Sequence, residues 1–194
     1  MIYMLNFTFK YNQDFLSVVG DNDSGKTTLI QRFILANVPP EKVFVLNSSN
    51  EESWYKYFPK QNITSPFMFT TSWFEQYILK TVAEHSGSVL VWDDVDNYNV
   101  KKSEILKSVV INARHLGLGI VIATRSLQEL PILMYRQSKY AFFATQRSMY
   151  DRNYIATMIG LENARKLANL DKHVFAVAGK GIPQLEFIKL KIKV

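Results

Sequence analysis

The chain has no cysteine among its 194 residues. That excludes disulfides, thiolate metal sites and a cysteine nucleophile. It also has no apolar run approaching the roughly 20 residues of a membrane-spanning helix, and no repeat or linker. The opening residues, Met1-Ile2-Tyr3-Met4-Leu5-Asn6-Phe7, lack a basic start and a small-residue cleavage site, so no signal peptide is expected. Charge is sparse, 21% against a hydrophobic fraction of 47%, which is a globular balance. Acids are the scarcer sign: 17 against 23 basic residues, for a net charge of +6. A basic surface admits a polyanionic partner, but many soluble domains are basic without one. The expectation is a single domain, residues 1–194, working in the cytoplasm of a cell.

Glycine is scarce too, at eight residues, and two of the eight frame a motif. Gly20-Asp21-Asn22-Asp23-Ser24-Gly25-Lys26-Thr27 is a complete G-x-x-x-x-G-K-[ST] phosphate-binding loop. Before it, Phe15-Leu16-Ser17-Val18-Val19 is short and β-branched enough to be a buried strand. After it, Thr28-Leu29-Ile30-Gln31-Arg32-Phe33-Ile34-Leu35-Ala36 repeats apolar residues at helical spacing. The residue types follow from the chemistry. Gly20 and Gly25 let the backbone curl so that successive N–H groups point inward at phosphate. The helix N-terminus adds partial positive charge, reaching Thr28. Lys26 reaches the β- and γ-phosphates, and the Thr27 hydroxyl ligates Mg²⁺. A strand before the loop and a helix after it argue against a chance match, so a nucleoside triphosphate is the expected ligand.

Strands alternate with helices along most of the chain. The spacing predicts strands at Tyr3–Lys10, Lys42–Asn47, Ser88–Trp92, Gly119–Ala123, Lys139–Ala144, His173–Ala178 and Leu185–Lys193. The first of these is expected to pair with the strand feeding the phosphate loop. Helices are predicted up to Val38-Pro39-Pro40, over Ser53–Tyr57, Ser72–His85 (capped by Ser72, with Glu75 at capping-box spacing), Ser103–His115 and a short one ending near Ser138, followed by helical stretches from Tyr150 to Leu170. This is an α/β pattern with a largely parallel sheet flanked by helices. Ligands in such sheets bind at the carboxyl ends of the strands.

A second motif closes the strand Ser88-Val89-Leu90-Val91-Trp92 with Asp93-Asp94. Downstream of a phosphate loop, the first acid is expected to hold the metal, with Thr27, and the second to polarise an attacking water. The other reading of Asp94 is a cap on the turn into Val95-Asp96-Asn97. A third segment, Ala113-Arg114-His115-Leu116-Gly117-Leu118-Gly119-Ile120-Val121-Ile122-Ala123-Thr124-Arg125, delivers Thr124 and Arg125 to the same edge, where a residue is able to sense the γ-phosphate. Strand-end hydrogen bonding for Thr124 and a plain surface cation at Arg125 are the alternatives.

The order of loop, acidic pair and R-x-x-G-x-x-x-x-x-x-T resembles the FtsK/HerA superfamily of ring-forming DNA pumps. It resembles most the compact genome-packaging ATPases of membrane-containing icosahedral viruses, poxvirus-like and archaeal. Arg114-His115-Leu116-Gly117-Leu118-Gly119 with Ala123-Thr124 carries most of the likeness. Tyr140-Ala141-Phe142-Phe143 and Met149-Tyr150-Asp151-Arg152-Asn153-Tyr154 add to it, and the likeness runs from about Val18 to Val177. The chain departs from the family where Arg125 replaces the usual glutamine and Asp94 a common glutamate. The resemblance implies a P-loop NTPase with a RecA/FtsK-like core, ATP and Mg²⁺ as cofactors, and sequence-independent double-stranded DNA as partner. It further implies self-association into a hexameric or pentameric ring, with a capsid or viral membrane protein nearby. It also makes Arg114 the candidate arginine finger acting across a subunit boundary, with Arg147 and Arg152 as rivals. A helix C-terminal arginine is the structural alternative for Arg114.

Lys101 and Lys102, after the acidic pair, are candidates for gripping DNA phosphates. Lys180 is a looser one. Lys189, Lys191 and Lys193 alternate along the last strand and read as a charged edge. Two other functions stay open: a small nucleotide kinase, which needs an arginine-bearing lid not visible here, and a nucleotide-gated assembly factor with little hydrolysis.

Overall fold

In the computed structural model, which describes residues 7–179 and 182–190, the strand before the phosphate loop lies inside one sheet. This strand, Phe15–Val19 (β1), is buried along its whole length. In chain order the other elements are helix Lys26–Asn37 (α1), strand Val43–Asn47 (β2), helix Trp54–Tyr57 (α2), strand Ile63–Thr64 (β3), helix Thr71–Glu84 (α3), strand Ser88–Asp93 (β4), helix Glu104–Asn112 (α4), strand Leu118–Thr124 (β5), helix Ile132–Gln137 (α5), strand Tyr140–Phe143 (β6), helices Met149–Ile159 (α6) and Leu161–Lys166 (α7), and strands Val174–Gly179 (β7) and Ile182–Lys189 (β8). The strands form one eight-stranded sheet in the order β3-β2-β4-β5-β1-β6-β7-β8. The first six in that order pair in parallel; β7 and β8 add an antiparallel hairpin at one edge. Parallel pairing needs helical crossovers, and these bury both faces of the sheet.

Alternation along the strands divides the core in two. Leu90 and Trp92 of β4, with Ile120 and Ile122 of β5, face a cluster closed by Phe74 and Ile78 of α3 and Leu106 and Val109 of α4. Val89, Val91, Val121 and Ala123 point the other way, into a cluster closed by Leu29, Ile30, Phe33 and Ile34 of α1 and by Trp54. Removing one such buried aliphatic side chain costs about 2–5 kcal/mol. Both layers thus hold the carboxyl ends of β1, β4 and β5 side by side.

Four expectations are corrected. Residues 7–10 form no strand, and the earlier part of that segment lies outside the described residues. β1 has no free edge to offer it, because β5 and β6 already occupy both sides. α3 begins one residue before Ser72, with Thr70 as its cap: the Thr70 hydroxyl accepts the Trp73 N–H at 3.2 Å. Glu75 instead accepts a 2.5 Å hydrogen bond from Ser103, the cap of α4, and so ties the two helices together. α4 stops at Asn112, and residues 113–117 are a turn ending at Gly117 with φ +67°. The last strand ends at Lys189; Lys180, Lys191 and Lys193 lie outside the described residues.

Candidate nucleotide site

The loop from Gly20 to Gly25 is fastened to three neighbouring strands. Gly20 N–H donates to Thr124 C=O at the end of β5 (3.1 Å), and Asp21 N–H to Thr145 C=O after β6 (2.9 Å). His173 N–H, entering β7, donates to Ser24 C=O (3.1 Å). The Asp21 carboxylate accepts the Arg147 N–H at 2.9 Å. Two positions require glycine. A Cβ at Gly20 would stand 2.5 Å from the Ala144 Cβ; one at Gly25, where φ is +96°, would stand 2.3 Å from His173 Nδ1.

α1 then starts at Lys26 and points its N-terminal N–H groups into the concavity. Lys26 is 6% exposed, and its ammonium donates to the carbonyls of Gly20 (2.9 Å) and Asp21 (3.1 Å). Asp94 Oδ1 is 3.8 Å from the same nitrogen. A cavity of about 480 Å³ opens over these groups, lined by Asn22, Asp23, Gly25, Lys26, Thr27 and Thr28, by Ser49, Glu51 and Ser53 after β2, and by Asp94, Lys172 and His173.

Asp93 is the electrostatic centre. It ends β4 at 1% exposure, and its Oδ2 accepts from Thr27 Oγ1 at 3.1 Å and Trp54 Nε1 at 3.0 Å. Its Oδ1 is buried without a partner. Burial first, and the Asp94 charge second, push Asp93 up to about 7, against the opposing hydrogen bonds and Lys26. Burial also raises Asp94. A hydroxyl and a carboxylate, with an unpartnered buried oxygen on each of the two acids, are hard donors that fit Mg²⁺. Asp94 itself has a left-handed backbone (φ 51°) and opens the 3-10 turn Val95–Tyr98. It both begins that turn and lines the cavity.

The remaining sequence candidates are dispersed. The Thr124 hydroxyl donates to Ser126 C=O (2.9 Å), so its side chain is engaged at the strand end. Arg125 Nε donates to Asp96 at 2.7 Å and its Nη2 to Asn97 at 2.6 Å, which clamps the turn after the acidic pair. Neither residue lines the cavity. Lys101 and Lys102 are exposed on a 3-10 turn beyond the acidic pair. Arg152 donates to the Gln146 and Arg147 carbonyls and is committed to its own backbone, whereas the Arg147 side chain is exposed. Arg114 is exposed in the turn before β5. The seven residues of β5, at about 3.3 Å each, separate that turn from the phosphate loop of the same chain. Lys172, His173, Ser49, Glu51, Ser53 and Trp54 were not legible as site residues: none stands at a spacing tied to the motif.

No protein-family model matches the chain, and no curated protein matches it by sequence. Solved structures match its fold. The genome packaging NTPase B204 of Sulfolobus turreted icosahedral virus 2, in complex with AMPPCP, superposes with a TM-score of 0.76 at 16% identity, covering 94% of this chain and 100% of that one. The DNA-packaging ATPase of Sulfolobus turreted icosahedral virus superposes at 0.73 and 18% identity, over 92% and 98%. The cytoplasmic domain of the Thermomonospora curvata type VII secretion ATPase EccC reaches 0.59 at 12% identity, over 94% of this chain and 24% of that one. The fold is that of the P-loop ATPases.

Proposed function

We propose that the protein is an ATP-hydrolysing motor that moves double-stranded DNA, packaging a viral genome into a capsid, and that it works as a ring of its own copies. One observation carries this reading. A phosphate loop whose Lys26 and Thr27 line one cavity with Asp94, Thr27 being bonded also to the buried Asp93, occurs in a chain that superposes over 94% of its length on a genome packaging NTPase. That such relatives bind ATP analogues supports ATP as the nucleotide here.

Each of these residues has a proposed role. Loop N–H groups and the α1 N-terminus hold the phosphate chain, and Lys26 exchanges the Gly20 and Asp21 carbonyls for phosphate oxygens. Thr27 and Asp93 hold Mg²⁺, which supplies neutralising charge when bound with the nucleotide. Asp94 orients and deprotonates the attacking water. Arg114 completes the neighbouring subunit's site, where a permanent planar cation stabilises transition-state charge. Lys101 and Lys102 contact DNA phosphates without reading sequence. The ring acts inside the host cell, and a capsid or viral membrane protein is its dock.

ATP turnover measured with and without double-stranded DNA of unrelated sequences tests the reading. Several-fold stimulation by any duplex is expected. Turnover indifferent to DNA contradicts it; phosphate transfer to an added nucleoside would make the protein a kinase, and tight ATP binding without turnover an assembly factor.

A further inference from the structure

Asp93 is gripped by two helices, α1 and α2, that pack on the same face of the sheet. Thr27 on α1 and Trp54 on α2 both donate to Oδ2, and Oδ1 is left with no partner. Trp54 is fully buried, and the chain reaches it by a short, tightly braced detour. β2 ends at Asn47, the register partner of Asp93 in the adjacent strand. The buried Asn47 side chain then brackets Glu51: Oδ1 accepts its N–H at 2.9 Å and Nδ2 donates to its C=O at 3.2 Å. Trp54 N–H donates to the same Glu51 carbonyl at 3.3 Å. Gln31 of α1 donates to Ser53 Oγ at 2.8 Å, and the indole ring packs on Phe58 with centroids 5.6 Å apart. The segment thus leaves the side of Asp93 and returns an indole N–H to it.

We infer that Trp54 is the positioning residue for the magnesium-binding carboxylate, an inference that rests on the nucleotide-binding function proposed above. An indole is a donor only. By filling Oδ2 together with Thr27, it fixes the carboxylate plane and leaves Oδ1 alone for the cation or its water. Partners of this kind around a metal ligand typically change metal affinity or activity 10- to 100-fold (about one to two orders of magnitude) when removed. A tryptophan that merely filled the core would affect stability and leave the response to magnesium untouched.

Trp54→Phe keeps an aromatic ring and removes the donor. Adenine nucleotide binding is measured by calorimetry across a magnesium titration and in EDTA, beside the melting temperature of the nucleotide-free protein. The half-saturating magnesium concentration is expected to rise about tenfold or more, with binding in EDTA unchanged. Trp54→His, which retains a ring N–H, is expected to recover part of the loss. In the parent protein, the ¹⁵N indole signal that Trp54 contributes should shift with nucleotide plus magnesium and not with nucleotide in EDTA. That readout holds even if both variants fail to fold, the signal being assigned by its distance-dependent coupling to Phe58. A magnesium dependence within about twofold of the parent's, or an indole signal blind to magnesium, overturns the assignment while nucleotide binding stands. A parent that binds no nucleotide in either condition overturns the functional reading, and this inference with it.

Discussion

Asp93 brings a carboxyl group to a place where 1% of the residue meets solvent, and the cost of that burial decides its chemistry. Its proton is held more tightly in the folded, nucleotide-free chain than in the unfolded one, because burial and Asp94 push it up to about 7. The stabilisation is therefore complete below the ordinary carboxylate range and is lost as pH rises through about 7. Asp93→Asn needs no proton, so at about pH 8 the nucleotide-free variant is expected to melt roughly 2–4 °C or more above the parent, the shift worth about 1 kcal/mol in a chain of this size. At about pH 4 the gain should vanish; an undiminished gain in melts at both pH values would assign the titration to another group. The same variant is expected to lose magnesium-dependent ATP binding. Asp94→Asn should instead bind ATP and slow turnover at least about 100-fold. Equilibrium binding beside steady-state turnover separates the two, and the reverse pattern would exchange their roles. Both acids were legible because they end an apolar strand behind a phosphate loop. Trp54 and His173 were not, since a lone indole or imidazole carries no spacing that ties it to phosphate.

The elements were legible where local pattern and tertiary need agree. β1, β2, β4 and β5 are apolar runs bounded by turn residues, and they lie where that pattern put them. α1 follows its loop directly, as a phosphate site requires. Disagreement arose where a partner elsewhere in the chain made the decision. Ser72 and Glu75 match a capping box, but Thr70 has the extended backbone and accepts the helix N–H, while Ser103 claims Glu75. Phe7 and Phe9 read as strand residues; they are buried as core side chains because β1 has no free edge. The stretch after β2 offered only a short helix to the sequence. Its Asn47 side chain turns back on the Glu51 backbone four residues on, and its Trp54 indole reaches Asp93 39 residues along the chain, which no local period encodes. Arg125 shows the same limit, since only the fold brings it to Asp96 and Asn97.

At the scale of the whole molecule, the parallel sheet has two unlike edges. Its carboxyl edge carries the phosphate loop and acidic pair; the turn bearing Arg114 lies at its amino edge. The proposed arginine finger therefore needs a second copy. Arg114→Ala and Lys26→Ala subunits are each expected to be inactive, the first still binding ATP. Once co-assembled, they should regain part of the parent's turnover at boundaries that pair an intact loop with an intact Arg114. Co-assembly without rescue, together with parent activity independent of protein concentration, would remove Arg114 from catalysis. The central claim, that hydrolysis moves DNA, is tested most directly by displacement of a third strand from a duplex track. With ATP and magnesium, the parent is expected to strip the third strand at a rate that slows as the track lengthens, and Lys26→Ala to strip none. Vigorous DNA-stimulated hydrolysis that leaves the third strand in place would contradict the account.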